Sequence, residues 1–317
     1  MFYVILAALF LQYSLLQQSP ATIKSIQPCI DRQPETGSDM DQHGSFVSAA
    51  IFVLLLLVAF VSSPVKAQEV DDEREFDYTK GSEKGPEHWG EIKEEWGACK
   101  NGEMQSPIDL LSERVKVMPK STVDIRKGYR PTNATLKNRG HDIMLQWDAN
   151  KAGSIKINGT DYYLHQAHWH SPSEHLVNGR RYDLELHMVH VSPDPNVKNK
   201  IVVVGLLYKG GLRRNTFLSK LTRKLSKIID KEEERKMGII NPKSIKMKGY
   251  KYLRYMGSLT TPPCTQGVTW FINKKISTAS WGQINLLRDA VHDYAEKNAR
   301  PVQKLNGRDI HLYHFNH

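Results

Sequence analysis

The residues best equipped for chemistry lie in two short stretches, Gln166-Ala-His168-Trp-His170 and Glu185-Leu-His187-Met-Val-His190. Side chains two apart on a β-strand point to the same side. On strands, His168 and His170 therefore share a face with Gln166, and His187 shares one with Glu185 and Val189, while His190 points the other way. Three imidazoles converging from two strands are the nitrogen set of a catalytic zinc site, with a fourth position open. A metal-bound imidazole usually gives its second ring proton to an acceptor behind it. Gln166 and Glu185 stand where they could accept those protons. Histidines that merely fill a sheet would leave these polar groups buried without a shared partner, which is costly.

Such a set needs a sheet to hold it, and short alternating segments broken by turn residues dominate the chain. Ile155-Lys-Ile runs into Asn158-Gly159, and Tyr162-Tyr-Leu resumes beyond it, the pattern of a strand, tight turn and strand. Asn178-Gly179 lies between the two histidine segments and lets them pair as an antiparallel hairpin with a broad loop. The apolar run from Ile201 to Tyr208 reads as a buried central strand, and Gly267 to Ile272 is similar. Two stretches have helical period. Phe217, Leu218, Leu221, Leu225, Ile228 and Ile229 form one apolar face with Lys220, Arg223, Lys224 and Lys227 outside it. Gln283 to Val291 is the second, with Ser280 as its N-cap. The fold class is mainly β.

The 317 residues are 40% hydrophobic, 9% aromatic and 25% charged, which excludes a largely disordered or collagen-like chain. A mean hydropathy of -0.49 excludes a polytopic membrane protein. The formal net charge is +10 and the pI about 9.3. That balance raises polyanions as partners, and Arg213 to Lys236 is the basic segment concerned. A solvated helix face explains it better, and no nucleic-acid motif accompanies it, so no nucleic-acid partner is expected.

The N-terminal part reads as a leader. Apolar runs occur from Phe2 to Leu16 and from Phe46 to Val61; small residues follow the second, ending in Val65-Lys66-Ala67. That order marks a secretory signal peptide, and the second run is short for a membrane span. Residues 40–67 are expected to be the signal peptide, with Met40 as the start and 1–39 as an upstream extension. A long leader whose signal is Phe2 to Leu16 is the rival. The mature domain is then 68–317, with an acidic arm at Glu69 to Glu75 and no stable membrane span. Cys29 departs with the leader, so Cys99 and Cys264 remain as an even pair for one disulfide. Asn133-Ala-Thr and Asn158-Gly-Thr are N-glycosylation sequons, expected on surface turns.

Several blocks, in order, resemble the alpha-class carbonic anhydrases, most of all the secreted plant members. They are Gly85-Pro-Glu-His-Trp89, Gln105-Ser-Pro-Ile-Asp109, Asn138-Arg-Gly-His141, Gln166 to His175, Glu185 to His190, Ser258-Leu-Thr-Thr-Pro-Pro263, Val268-Thr-Trp270 and Asn298-Ala-Arg-Pro301. The resemblance covers residues 76–317. It implies a single domain on a large, mostly antiparallel central sheet with a few peripheral helices. It also implies Zn2+ held by His168, His170 and His187, and reversible hydration of carbon dioxide to bicarbonate and a proton by zinc-activated water.

Other roles follow from the same likeness. Gln166 and Glu185 back the ligands, and His170 gives its proton to the backbone carbonyl of Asn298. Thr260 corresponds to a gatekeeper threonine and Glu174 to the carboxylate that accepts its hydroxyl proton. His141 falls where many members carry a proton shuttle, and Tyr78 where an entrance tyrosine stands. Val189, Val203, Leu259, Val268 and Trp270 correspond to the apolar wall that holds carbon dioxide. Cys99 and Cys264 match the disulfide of secreted members. Three features depart from the family: Arg139 and Met144 replace polar asparagines of a water network, and Ser171-Pro172 replaces an aromatic-glycine pair. A non-catalytic storage or binding relative is the alternative function. The expected location is extracellular through the secretory pathway (the apoplast in a plant), or the chloroplast reached by that pathway.

Overall fold

A computed structural model describes residues 75–119, 124–229, 231 and 233–314, all within a compact unit spanning Lys66–His317. The expectations for 1–39, for the signal peptide 40–67 and for the acidic arm before Glu75 lie outside the described residues. Among those residues, no helix is long and apolar enough to cross a membrane.

The strands are β1 (Val115–Val117), β2 (Ile125–Lys127), β3 (Thr132–Asn138), β4 (Ile143–Trp147), β5 (Ser154–Ile157), β6 (Thr160–His170), β7 (Leu176–Val177), β8 (Arg180–Arg181), β9 (Leu184–Val191), β10 (Ile201–Gly211), β11 (Glu234–Ile240), β12 (Lys251–Ser258), β13 (Gln266–Asn273), β14 (Ser277–Ser280) and β15 (Ile310–His314). All but β7 and β8, which pair only with each other, join one large sheet ordered β1-β15-β12-β13-β10-β9-β6-β4-β3-β11. β14 pairs with β10, and β2 reaches the sheet through β5 and β6. Most pairings are antiparallel, as expected, but the sheet is mixed: β1 with β15, and β10 with both β13 and β14, run parallel. Parallel neighbours need long crossover connections, and the segment between β10 and β13 supplies one.

Local chemistry explains the register. Asn158 and Gly159 both adopt positive φ, 48° and 87°, as a two-residue hairpin turn requires. β5 and β6 pair directly across it, Ile157 opposite Thr160. The apolar run in β10 is two interleaved sets. Val202, Val204, Leu206 and Tyr208 enter the larger core, while Ile201, Val203 and Leu207 enter a second buried cluster on the other face. A strand buried on both sides must be apolar at every position.

Among the described residues the α-helices are few: α1 (Trp89–Ile92), α2 (Ala98–Asn101), α3 (Thr216–Leu225) and α4 (Trp281–Ala290). Asn215 caps α3 by accepting from the Phe217 and Leu218 N–H groups. Ser280 caps α4 as expected, and Gln283 returns the bond to complete a capping box. α3 stops at Leu225, short of its apolar pattern, because the Lys227 and Ile228 N–H groups tighten onto carbonyls three residues back. Ile228 remains buried all the same.

Cys99 and Cys264 form the expected disulfide, closing a separation of 165 residues. Asn158 lies exposed in its turn, whereas Asn133 is exposed within β3 rather than in a turn. Asn133 stands opposite Ile239 of β11, so its sequon occupies a strand near one edge of the sheet.

Candidate metal centre

β6 and β9 pair so that His168 stands opposite His187. A two-residue period places His170 on the same face, the one occupied by the second cluster and not the larger core. The three rings are almost fully buried, and one nitrogen from each lies within 4.8 Å of the others. Their outward nitrogens are engaged. His168 Nδ1 donates to Gln166 Oε1 at 2.9 Å, His170 Nδ1 to the Asn298 carbonyl at 2.7 Å, and His187 Nε2 to Glu185 Oε1 at 2.9 Å. These bonds set the tautomers and turn His168 Nε2, His170 Nε2 and His187 Nδ1 inward as lone-pair donors.

That donor set fits zinc. Nitrogens about 2.0–2.1 Å from a tetrahedral ion stand roughly 3.3 Å from one another, and His187 Nδ1 and His168 Nε2 are 3.2 Å apart. His170 Nε2 is buried without a hydrogen-bond partner, a costly position for an imidazole nitrogen unless it ligates.

Glu185 does more than its expected part. Its Oε1 accepts from His187 and also from His175 Nδ1 at 2.7 Å, while Oε2 accepts the Glu174 and His175 main-chain N–H groups at 2.8 Å each. Burial pushes this carboxyl up, but the His175 and His187 rings and their hydrogen bonds hold it well below the usual range. His175 passes the network on to Tyr255 Oη at 2.6 Å, which meets Ser106 Oγ at 2.8 Å. His175, Glu185 and His187 also cluster closely enough to resemble a metal site. The Glu185 oxygens are already filled by four donors, so this group is a hydrogen-bond hub. Gly205, opposite His187 in β10, makes room for it: a Cβ there would meet Ile272 Cδ1 at 2.5 Å and Glu185 Oε1 at 3.1 Å.

Glu174 Oε1 accepts the Arg300 main-chain N–H at 2.9 Å. Its Oε2 is buried without a hydrogen-bond partner, so no bond joins it to Thr260 here. The carboxylate leans instead toward the imidazoles, 3.5 Å from His170 Nε2 and 3.9 Å from His187 Nδ1. Thr260 is buried in the turn after β12. Val189, Val203, Leu259, Val268 and Trp270 all fall in the second apolar cluster. The Trp270 ring lies 4.8 Å from the His187 ring, and its Nε1 donates to the Ser258 carbonyl. This cluster therefore abuts the metal ligands directly.

His141 is fully buried, its ring 5.1 Å from that of Phe76 and its Nε2 3.9 Å from Asp142 Oδ2. Tyr78 packs against Phe76 and Trp89. The two departures near the ligands have structural uses. Ser171 Oγ accepts from Arg288 of α4 at 2.7 Å, and the Ser171 N–H donates to Asn298 Oδ1 at 2.8 Å. Arg139 grips buried Asp142 with two hydrogen bonds, Nε to Oδ1 at 2.8 Å and Nη2 to Oδ2 at 2.6 Å.

Burial alone would raise the Asp142 pKa, but the charges of Arg139, His141 and His168 and the Arg139 hydrogen bond drive it down. A lowered carboxylate stabilises the fold above its unfolded value, about 3.9, and loses that contribution as pH falls. Arg139→Ala strands the carboxylate and is expected to cost about 3–5 kcal/mol near neutrality. Urea midpoints across pH would show the gap from wild type present above about 4 and closing as pH falls below it; a gap independent of pH would refute the assignment.

Sequence reasoning missed His175, Tyr255, Asp142 and the Arg300 side chain. His175 sits in the loop after β6, where no periodicity assigns a face. Arg300 lies in the Asn298 to Pro301 block, but its partners are remote in sequence and only folding brings them together.

The comparisons with known proteins match this geometry in extent. The profile described as eukaryotic-type carbonic anhydrase matches residues 84–314. Alpha carbonic anhydrase 7 of Arabidopsis thaliana is 53% identical over 265 residues, covering 83% of this chain and 94% of that protein. Carbonic anhydrase Nec1 of Nesocodon mauritianus is 52% identical over 269 residues, 84% of this chain and 95% of that protein. Among solved structures, dioscorin complexed with ascorbate aligns with a TM-score of 0.71 at 39% identity, over 76% of this chain and 99% of dioscorin. With the three-histidine group in place on a shared fold and about half of the aligned residues identical to the two carbonic anhydrases, the chain belongs to the alpha, or eukaryotic-type, carbonic anhydrase family.

Proposed function

We propose that this protein is a zinc-dependent carbonic anhydrase, a lyase that reversibly hydrates carbon dioxide to bicarbonate and a proton. The observation that carries the reading is the buried trio of imidazole nitrogens turned inward by three separate acceptors. Zinc held by His168, His170 and His187 would supply the acidity that makes hydroxide available near neutral pH, an effect for which carbonic anhydrases are the reference case.

The remaining work falls to this chain's own groups. Gln166, the Asn298 carbonyl and Glu185 keep the three rings in one tautomer and one orientation. Carbon dioxide has no net dipole, so the wall of Val189, Val203, Leu259, Val268 and Trp270 can hold it where water gains nothing by competing. Glu174 presents a buried oxygen with no donor, a fit for the hydroxyl proton of Thr260 once substrate water enters. Thr260 would then accept from the attacking oxygen and aim its lone pair. His141, packed against the Phe76 ring, is the candidate relay for the released proton.

The second reading, a non-catalytic storage or binding relative, is favoured by the likeness to dioscorin. The two separate cleanly. Purified mature protein should contain about one zinc per chain and show sulfonamide-sensitive hydration of carbon dioxide. Zinc-free protein without that activity would establish the second reading. The exposed sequons at Asn133 and Asn158 and the disulfide support passage through the secretory pathway. N-terminal sequencing of the secreted product should then begin at Gln68, and a start near residue 18 would replace that cleavage site.

A further inference from the structure

Away from the histidine cluster, two neighbouring cavities share one lysine. The first, about 160 Å³, is lined by Arg213, Arg214, Lys246, Lys248 and Lys275; the second, about 280 Å³, by Lys127, Lys243 and Lys246. No carboxylate lines either one. The sequence explains this: no Asp or Glu occurs between Asp194 and Asp230, nor between Glu234 and Asp289. The five cations of the first cavity all come from those two acid-free runs, and none is ion-paired among the described residues. Elsewhere on the surface, lysines and arginines do find carboxylates, as in the Lys100–Glu91 and Lys116–Asp309 pairs.

The cations are also held in place. Buried Asn273 donates to the Lys248 carbonyl at 2.7 Å and accepts the Lys275 N–H at 2.8 Å, clamping two lysine-bearing loops together. Gly249, at φ 79°, gives the Lys275 stem its room: a Cβ at 249 would lie 3.0 Å from Lys275 Cβ. Buried Gln283 accepts the Asn215 N–H at 2.8 Å and donates to the Asn215 carbonyl at 2.9 Å, fixing the loop that carries Arg213 and Arg214. Holding like charges together costs stability, and a bound anion would offset that repulsion. Lys127 in the second cavity is half-buried, and loss of solvent lowers its pKa.

We infer that this double cavity is a binding groove for an acidic polysaccharide, a chain of uronate carboxylates whose successive groups reach both cavities across Lys246. Two adjoining cationic cavities suit a chain better than a single small anion. Nucleic acid fits less well, because single strands are held on stacking aromatic rings. The groove's single aromatic, Tyr129, is buried with its hydroxyl engaged by His190 at 2.8 Å.

The test uses the whole mature protein with polygalacturonate, heparin and oligo-deoxythymidine as probes. Three groove cations are neutralised together (Arg213→Gln, Arg214→Gln, Lys246→Gln), and three surface lysines elsewhere serve as control (Lys100→Gln, Lys116→Gln, Lys151→Gln). Wild type should bind polygalacturonate in a salt-dependent way. The groove variant should bind at least about ten-fold more weakly, with a shallower salt slope, as counter-ion release requires. The control triple should stay within about two-fold of wild type, since it removes equal charge but no groove contact. Lys246→Gln alone should give part of the groove effect. Carbon dioxide hydration should not move in any variant, because none of these residues touches the histidine site, and every variant should still melt as a folded protein. Equal losses in both triples, no binding at physiological salt to either polysaccharide, or tighter binding to the oligonucleotide than to polygalacturonate would each overturn the proposal.

Discussion

His187→Ala should yield a folded protein that carries no stoichiometric zinc and hydrates carbon dioxide no faster than buffer. The expectation rests on the pairing of β6 and β9, which sets His187 directly opposite His168. Removing it takes away the only inward donor that β9 contributes, leaving His168 and His170 on one strand. Two nitrogens from adjacent same-face positions do not enclose an ion that takes three protein ligands. Glu185→Gln is the informative companion. An amide can still meet His187 but cannot accept from two rings and two main-chain N–H groups at once. Losses of supporting groups typically cost about 10–100-fold in metal affinity or activity, so this variant should fall between wild type and His187→Ala. Zinc content by mass spectrometry and hydration by stopped flow, read on the same samples, would check both. Full activity with zinc retained in His187→Ala would remove His187 from the site.

Arg300→Ala should be among the most destabilising single substitutions in the domain. The guanidinium is 1% exposed. It donates to Gln105 Oε1 and the Ser106 carbonyl at 2.8 Å, and to the Cys99 carbonyl at 3.0 Å. Its carbon lies 5.5 Å from the Trp89 ring centroid. Burial pushes its pKa down to about 10, with the Glu174 charge opposing that shift, so it stays protonated at neutral pH. One side chain thus ties the late part of the chain to the segment around the disulfide. Truncation leaves the Cys99 and Ser106 carbonyls without this donor, at about 1–3 kcal/mol each before relaxation, and Gln105 Oε1 with only the Ser258 hydroxyl at 3.4 Å. A net loss of about 3–5 kcal/mol is expected, or a melting point lower by on the order of 10 °C for a domain this size. Arg300→Lys restores charge but not the planar fork, and should recover only part of the loss. A melting point within about 2 °C of wild type for Arg300→Ala would dismiss the assignment. Both variants keep the main-chain N–H that Glu174 Oε1 accepts, so hydration per folded molecule should fall far less than stability in either one.

The parts legible in sequence were those with a short-range rule. Period two placed His168, His170 and Gln166 on one side of β6, and Glu185, His187 and Val189 on one side of β9. Turn chemistry at Asn158-Gly159 and the cap at Ser280 located a hairpin and a helix start. Asn133 shows the limit of such rules. A sequon is read from three residues, whereas its place within β3 depends on pairing with β4 and β11. α3 shows the same limit, since its apolar pattern runs on to Ile229 while backbone bonds end the helix at Leu225.

Other features had no local signature. The parallel contact of β10 with β13 and β14 arises from the crossover path of the chain, which no window of residues encodes. His175 joins Glu185 and Tyr255 only because a loop folds back over β9. His141 packs against Phe76, remote in sequence, so its burial is a property of packing across distant segments. The basic groove is intermediate: the two acid-free runs are plain in the sequence, but Asn273 and Gln283 bring their cations together.

The sequence by itself determined which atoms face one another along each strand, because side-chain alternation is a property of the extended backbone. It therefore determined the identity and sidedness of the histidine donors. Only the tertiary structure decided what completes the shell behind them. The Asn298 carbonyl behind His170, the Glu174 and His175 donors that fill Glu185 and the fork of Arg300 are contacts between separate segments. Their existence depends on register and crossover, and those are settled when the whole sheet closes around its two buried faces.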